Sequence, residues 1–146
     1  MSADNKRHAA VHEAAHAVVA SSLGFRVDKI RLGSELGGAI QGCVFTEATR
    51  YDLPMHRLED AVVVALAGNI AEEMILGTIQ RVPGITPERE GDERHLQCLF
   101  SVLCPWGSAD VRERCEVRAR DLVQAKREPI NALAARLMSG EMIESY

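Results

Sequence analysis

The chain lacks any apolar run long enough to cross a bilayer: its N-terminal apolar stretch is broken by His12, Glu13 and His16, and Ala61 to Gly68 is far too short. No signal peptide is visible either, so no membrane span is expected and the expected location is the cytoplasm. The four cysteines, Cys43, Cys98, Cys104 and Cys115, include no CxxC pair, which excludes a zinc knuckle. In a reducing compartment they are expected as free thiols, Cys98 and Cys104 within the core. Positive charge is not in excess; a net charge of -4 offers no general attraction for nucleic acid or an anionic membrane, and neither is expected as a partner. Repeats and low-complexity segments are absent. With 47% hydrophobic and 26% charged residues, residues 1–146 suit one globular domain with a substantial core.

What the chain does contain is His12-Glu13-Ala14-Ala15-His16. Four residues of α-helix advance about 6 Å and slightly over one turn, so both imidazoles project from one face while Glu13 lies about 100° round. Neutral histidine nitrogens suit zinc, and a three-ligand site leaves a fourth position for water. A carboxylate beside that position can take the water's proton during attack on a carbonyl. The competing reading is a surface histidine pair with an unrelated glutamate. Flanking residues argue against it: Ala9, Ala10, Ala14, Ala15, Ala17, Val18, Val19 and Ala20 make the helix apolar on all sides, so ionisable groups within it need a partner. His8 extends the row one turn earlier. Three successive turns cannot converge on one tetrahedral ion, so His8 is assigned to the rim or the surface.

The first helix is expected from about Asp4 to Ser22, stopped by Gly24. Phe25 to Leu32 alternates apolar and charged residues as a half-exposed strand does, Gly33 to Gly38 makes a turn, and Ala39 to Thr46 reads as a second strand. A second helix opens near Asp52 and Pro54 and runs to Leu76, with Gly77 after it. Its interior Gly68 costs about 1 kcal/mol of helix propensity, which predicts a close backbone contact, and the histidine helix is the expected neighbour. Thr78 to Gly91 reads as a loop. Further helices are expected from Asp92 to Pro105, from Ser108 to about Lys126 and from Pro129 through Met138. The fold class is therefore mainly α (α+β): helices with one small β-hairpin or sheet near the histidine helix.

Three stretches in this order resemble the peptidase domain of the FtsH-type ATP-dependent zinc metalloproteases. His12-Glu13-Ala14-Ala15-His16-Ala17-Val18-Val19-Ala20 is similar to that family's HEAGHAVVA. Leu66-Ala67-Gly68-Asn69-Ile70-Ala71-Glu72-Glu73, followed by Gly77, looks like its LAGRxAEExxxG, and Asp92 occupies the place of the aspartate opening the family's next helix. Ile130 to Leu137 echoes the family's closing helix. This resemblance implies a Zn2+ site of His12, His16 and Asp92, with Glu13 as general base. Glu72, first, or Glu73 would orient a histidine from behind. Read from the residues alone, Asp92 is more readily a helix N-cap than a ligand, with Glu72, Glu73 or His95 as the rival third ligand. By the same resemblance, Ile40, Gln41, Gly42 and Cys43 on the second strand would pair with substrate backbone.

The implied activity is a zinc metalloendopeptidase acting on an unfolded polypeptide or peptide. Departures from the family set its limits. No GxxxxGK[ST] phosphate loop and no AAA module occur in this sequence, so a separate ATPase or an adaptor protein is the expected source of delivered substrate. Ala15 and Asn69 stand where the family has glycine and arginine. A homo-oligomer, a hexamer, is the assembly the resemblance suggests. A second reading is a zinc-stabilised interaction or regulatory module with weak or no catalysis; a third is a structural helical domain whose histidines bind nothing.

Overall fold

The computed structural model of the chain describes residues 3–36, 39–49, 53–78, 87–104 and 109–146. Among the described residues are five helices and one hairpin: α1 (Ala3–Ser22), β1 (Val27–Leu36), β2 (Ala39–Thr46), a short 3-10 turn (Glu47–Thr49), α2 (Met55–Leu76), α3 (Pro87–Leu103), α4 (Ala109–Ala125) and α5 (Arg127–Met138). The fold is mainly helical, as its periodicity predicts.

α1 is the centre of the molecule because nearly every residue it carries is small and apolar. Ala10, Val11, Ala14, Ala15, Ala17, Val18, Val19 and Ala20 are all buried, and α2, α4, α5 and both strands pack around them. Alanine keeps the helix thin enough for its neighbours to approach closely. The helix ends as expected at Gly24, whose φ of +81° is the left-handed conformation that glycine adopts without a steric penalty. The Phe25 amide reaches back to the Ala20 carbonyl at 2.9 Å, closing the last turn. α2 stops in the same way at Gly77, with φ of +82° and its amide 3.0 Å from the Glu73 carbonyl.

Arg57, in the first turn of α2, ties the end of α1 to the start of α2. Its guanidinium donates to the Leu23 carbonyl at 2.9 Å and to Asp60 at 2.9 Å, and lies 3.9 Å above the Phe25 ring. Phe25, Val27 and Ile30 turn their side chains into the core, which seats the hairpin against α1. On the other flank, α4 is joined to α2 by ion pairs: Arg114 grips the Glu59 carboxylate at 2.8 and 3.1 Å, and Arg118 meets Asp60 at 2.7 Å.

Three expectations are corrected. β1 does not end at Leu32 but continues through Gly33 to Leu36, because a bulge between Leu32 and Glu35 absorbs the irregular residues without breaking the antiparallel pairing. α3 begins at Pro87 and not at Asp92; proline fits a first helical turn, where its missing N–H costs nothing. Cys98 is exposed because it lies off the inward face of α3 that Leu96 and Leu99 form, and Cys104, just past the end of that helix, is only half-buried. The buried thiol is Cys115 of α4, and Cys98, Cys104 and Cys115 are all unpaired.

One pairing has no counterpart in the sequence reading. Beyond α5 the chain returns to β1, where Ile30 and Ile143 exchange backbone hydrogen bonds of 2.8 and 3.0 Å in an antiparallel bridge.

Candidate metal centre

Two rows of residues meet where α1 crosses α2. His8, His12 and His16 follow one another at successive turns of α1, and Val64, Gly68 and Glu72 do the same on α2 in the opposite direction. The hydrogen bonds that hold His8, His12 and His16 from behind run between these rows. His12, Glu13 and His16 are all buried, which in a helix of alanines and valines is a strong demand for polar partners.

For the two histidines, α2 supplies partners. His16 Nδ1 donates to the Val64 carbonyl at 2.7 Å. A carbonyl only accepts, so the proton of that ring is fixed on Nδ1. His12 Nδ1 donates to Glu72 Oε1 at 2.8 Å. With both Nδ1 atoms used as donors, both Nε2 atoms are turned inward, and they lie 3.0 Å apart. The rings meet nearly at right angles, 81°, with centroids 4.6 Å apart. Two Nε2 lone pairs facing each other at this distance repel unless a cation, a proton or a metal ion, lies between them.

The arrangement fits zinc. Zinc–nitrogen bonds of about 2.0–2.1 Å at a tetrahedral angle separate two nitrogens by about 3.3 Å, close to what the rings present. Tautomers set by a carboxylate and a backbone carbonyl are also the usual support of metal-binding histidines.

Gly68 makes the close approach possible. A β-carbon built there would stand 2.6 Å from His12 Cε1, 2.6 Å from His16 Nε2 and 2.7 Å from His12 Nε2. Any side chain would occupy the space in which the two nitrogens meet. The cost of glycine inside α2 is thus offset by the room it leaves for two imidazoles; α1 is the neighbour expected from the sequence, but what comes close is a pair of its side chains and not its backbone.

Glu72 has no exposure to solvent at all. Besides His12 it accepts from His8 Nδ1, at 3.1 Å to Oε2. His8, assigned by sequence to the rim or surface, is largely enclosed, with 12% of its side chain exposed. Glu73 is not part of the group. One position further round α2, it points outward, half exposed and 3.6 Å from Arg120, so the expectation that it backs a histidine is not met.

Asp92 lies in the second turn of α3, which packs against α2 and β2; its side chain is outside the described residues. Because the helix starts five residues earlier, an N-cap role for Asp92 is removed. His95, one turn further along α3, is half-buried. Among the described residues no group of three His, Cys, Asp or Glu side chains is placed to hold a metal ion. Ile40, Gln41, Gly42 and Cys43 lie on β2, with Gly42 opposite Leu32 and Cys43 opposite Arg31; their side chains too are outside the described set. A separate cleft of about 200 Å³ lies between α2, α3 and α4. Asn69 and the ion-paired Glu73, Arg112, Glu116 and Arg120 line it, and the histidines do not.

Two elements of the site escaped sequence reasoning. The Val64 carbonyl carries no side-chain signature, although its place one turn before Gly68 is a usable signal. His8 is visible as the first member of an i, i+4 row, but that spacing does not mark it as a donor to a buried carboxylate.

No protein-family model matches the chain. It is similar to proteins named ATP-dependent zinc metalloprotease FtsH: that of Pelobacter propionicus is 31% identical over 116 residues, covering 75% of this chain and 17% of the relative. That of Pirellula staleyi is 31% identical over 117 residues, 77% of this chain and 17% of the relative. The protein of Protochlamydia amoebophila is 29% identical over 112 residues, with shares of 73% and 11%. The chain therefore spans about a sixth or less of the curated relatives it matches. Among the described residues, no helix is long and apolar enough to cross a membrane.

Proposed function

We propose, from the premise that this chain carries an FtsH-related region, that it is a zinc-dependent metallopeptidase. The observation that carries the reading is the convergence of His12 and His16 through their Nε2 atoms, 3.0 Å apart, with each ring locked from behind. His12 and His16 would hold the ion, and Asp92 is the third ligand by resemblance. α3 carries Asp92 on the helix packed against α2, the element that also bears Gly68 and Glu72.

Zinc bound there supplies a Lewis acid that polarises the scissile carbonyl and makes water acidic near neutral pH. Glu13 is the general base: it takes the water's proton as oxygen adds to the carbonyl carbon, then passes it to the amide nitrogen as the C–N bond breaks. Glu72 and the Val64 carbonyl keep the two rings from turning. Burial of Glu13 beside the pair removes competing water and strengthens these interactions.

An unfolded polypeptide or peptide is the proposed substrate, aligned by backbone pairing along Ile40 to Cys43. Support for this edge comes from the hairpin: β1 is flanked by β2 on one side and by Ile143 on the other, so β2 carries the outer edge. Delivery by a separate ATPase or adaptor, assembly as a homo-oligomer and a cytoplasmic setting complete the proposal.

Metal analysis of the purified protein together with hydrolysis of casein, wild type against Glu13→Gln, tests it. Both proteins should hold one zinc per chain, and Glu13→Gln should lower cleavage by about 10²- to 10⁴-fold. Zinc retained by a wild type that never cuts above the Glu13→Gln background would establish the interaction-module reading in its place. Lack of stoichiometric zinc at neutral pH would sink both.

A further inference from the structure

We propose that His8 is a positioning residue of this centre: it holds Glu72, and Glu72 holds His12. The inference rests on the reading of His12 and His16 as zinc ligands. Glu72 is fully buried, and a carboxylate withdrawn from water is stable only when its oxygens accept hydrogen bonds. Oε1 accepts from His12 Nδ1 at 2.8 Å, and Oε2 accepts from His8 Nδ1 at 3.1 Å. The two donors stand on consecutive turns of α1, so the carboxylate plane is pinned at both oxygens. It cannot rotate without giving up one of them.

That constraint reaches the proposed ligand. His12 offers its Nε2 lone pair only while its proton stays on Nδ1, and the proton stays there because Oε1 faces it. Without the His8 bond, Oε2 loses a partner and the carboxylate is held less firmly behind His12, so the tautomer in which His12 Nε2 carries the hydrogen becomes more accessible. A ring in that state has no lone pair to give at the 3.0 Å meeting point. His8 does not itself belong to the ligand set: its Cα lies two turns, about 12 Å along the axis, from that of His16, and its Nδ1 faces Glu72.

Leucine and asparagine separate donor from bulk at this position, because they are nearly isosteric and asparagine Nδ2 falls where histidine Nδ1 stands. Zinc dissociation constants of wild type, His8→Leu and His8→Asn are measured by competition with a chromophoric chelator. In the same proteins without metal, ¹⁵N NMR reads the tautomer of His12. His8→Leu should weaken zinc binding about tenfold and mix the His12 tautomers, and His8→Asn should restore both to near the wild-type values. Wild-type zinc affinity in folded His8→Leu overturns the proposal, as does failure of folded His8→Asn to rescue. Should His8→Leu not fold, the His12 tautomer in His8→Asn decides: loss of the Nδ1–H form overturns it. A wild type that binds no zinc refutes the ligand reading, and the His8 proposal then stands or falls on the tautomer alone.

Discussion

A β-carbon on Gly68 would stand 2.6 Å from Nε2 of His16, nearer than real carbon contacts come. Gly68→Ala therefore sets two effects against each other. Alanine gains about 1 kcal/mol of helix propensity, whereas overpacking a buried contact costs about 1–3 kcal/mol. The rings cannot swing clear without giving up Val64 and Glu72, so the loss should win. Urea unfolding should show a net destabilisation of about 1 kcal/mol, and zinc titration should show weakened binding. A variant more stable than wild type that still binds zinc would contradict the packing described.

Removing Glu72 and removing Asp92 should be distinguishable. Glu72→Ala takes away the acceptor behind one histidine and should raise the zinc dissociation constant by about 10- to 100-fold. Asp92→Ala should raise it further, because on the proposed assignment it removes a ligand itself. The reverse order, read by chelator competition, would transfer the third-ligand role away from Asp92.

The α2–α4 ion pairs give stability a pH dependence of known sign. The hydrogen bond from Arg114 holds the Glu59 carboxyl below the ordinary carboxylate range; burial opposes this, and the charges of Arg114 and Arg118 reinforce it. A lowered folded-state value means a contribution present above the unfolded carboxylate pKa and lost as pH falls through the lowered one. Arg114→Ala should accordingly destabilise the protein slightly at neutral pH, and the difference from wild type should fade in acid. Because the guanidinium is exposed, added salt should shrink the neutral-pH difference as well. A difference that grows in acid would show that another group governs it.

Thiol reactivity should sort by burial. Burial pushes the Cys115 thiol up to about 11, leaving about one part in a thousand as thiolate at pH 8. Iodoacetamide at that pH should label exposed Cys98 in the native protein and reach Cys115 only on unfolding, as peptide mass spectrometry would show. Equal labelling rates at the two positions would contradict the packing of α4.

Much of this fold is legible in the sequence because its punctuation is strong. Gly24 and Gly77 follow apolar helical patterns and adopt the left-handed conformation that ends them, so α1 and α2 are readable to within a few residues. The start of α3 was obscured: Pro87 to Glu90 is charged, and Gly91 drew the boundary past a true first turn. Gly68 announced a close contact, yet the atom that fixes His16 is a backbone oxygen, invisible to any residue pattern. Glu72 and Glu73 were inseparable by composition. The 100° between neighbours on a helix decides them, and that angle needs a known inward face.

The bridge from Ile143 to Ile30 gives the C-terminal segment a protective task. A bare strand edge is a template for pairing with other chains, and natural sheets cover or interrupt such edges. Here residues 141–146 cap one flank of the hairpin, with Ile143 itself sunk into the core. Shortening the chain before Ile143 would uncover that flank of β1, and copies of the protein could then associate through the side of the sheet opposite the proposed substrate strand.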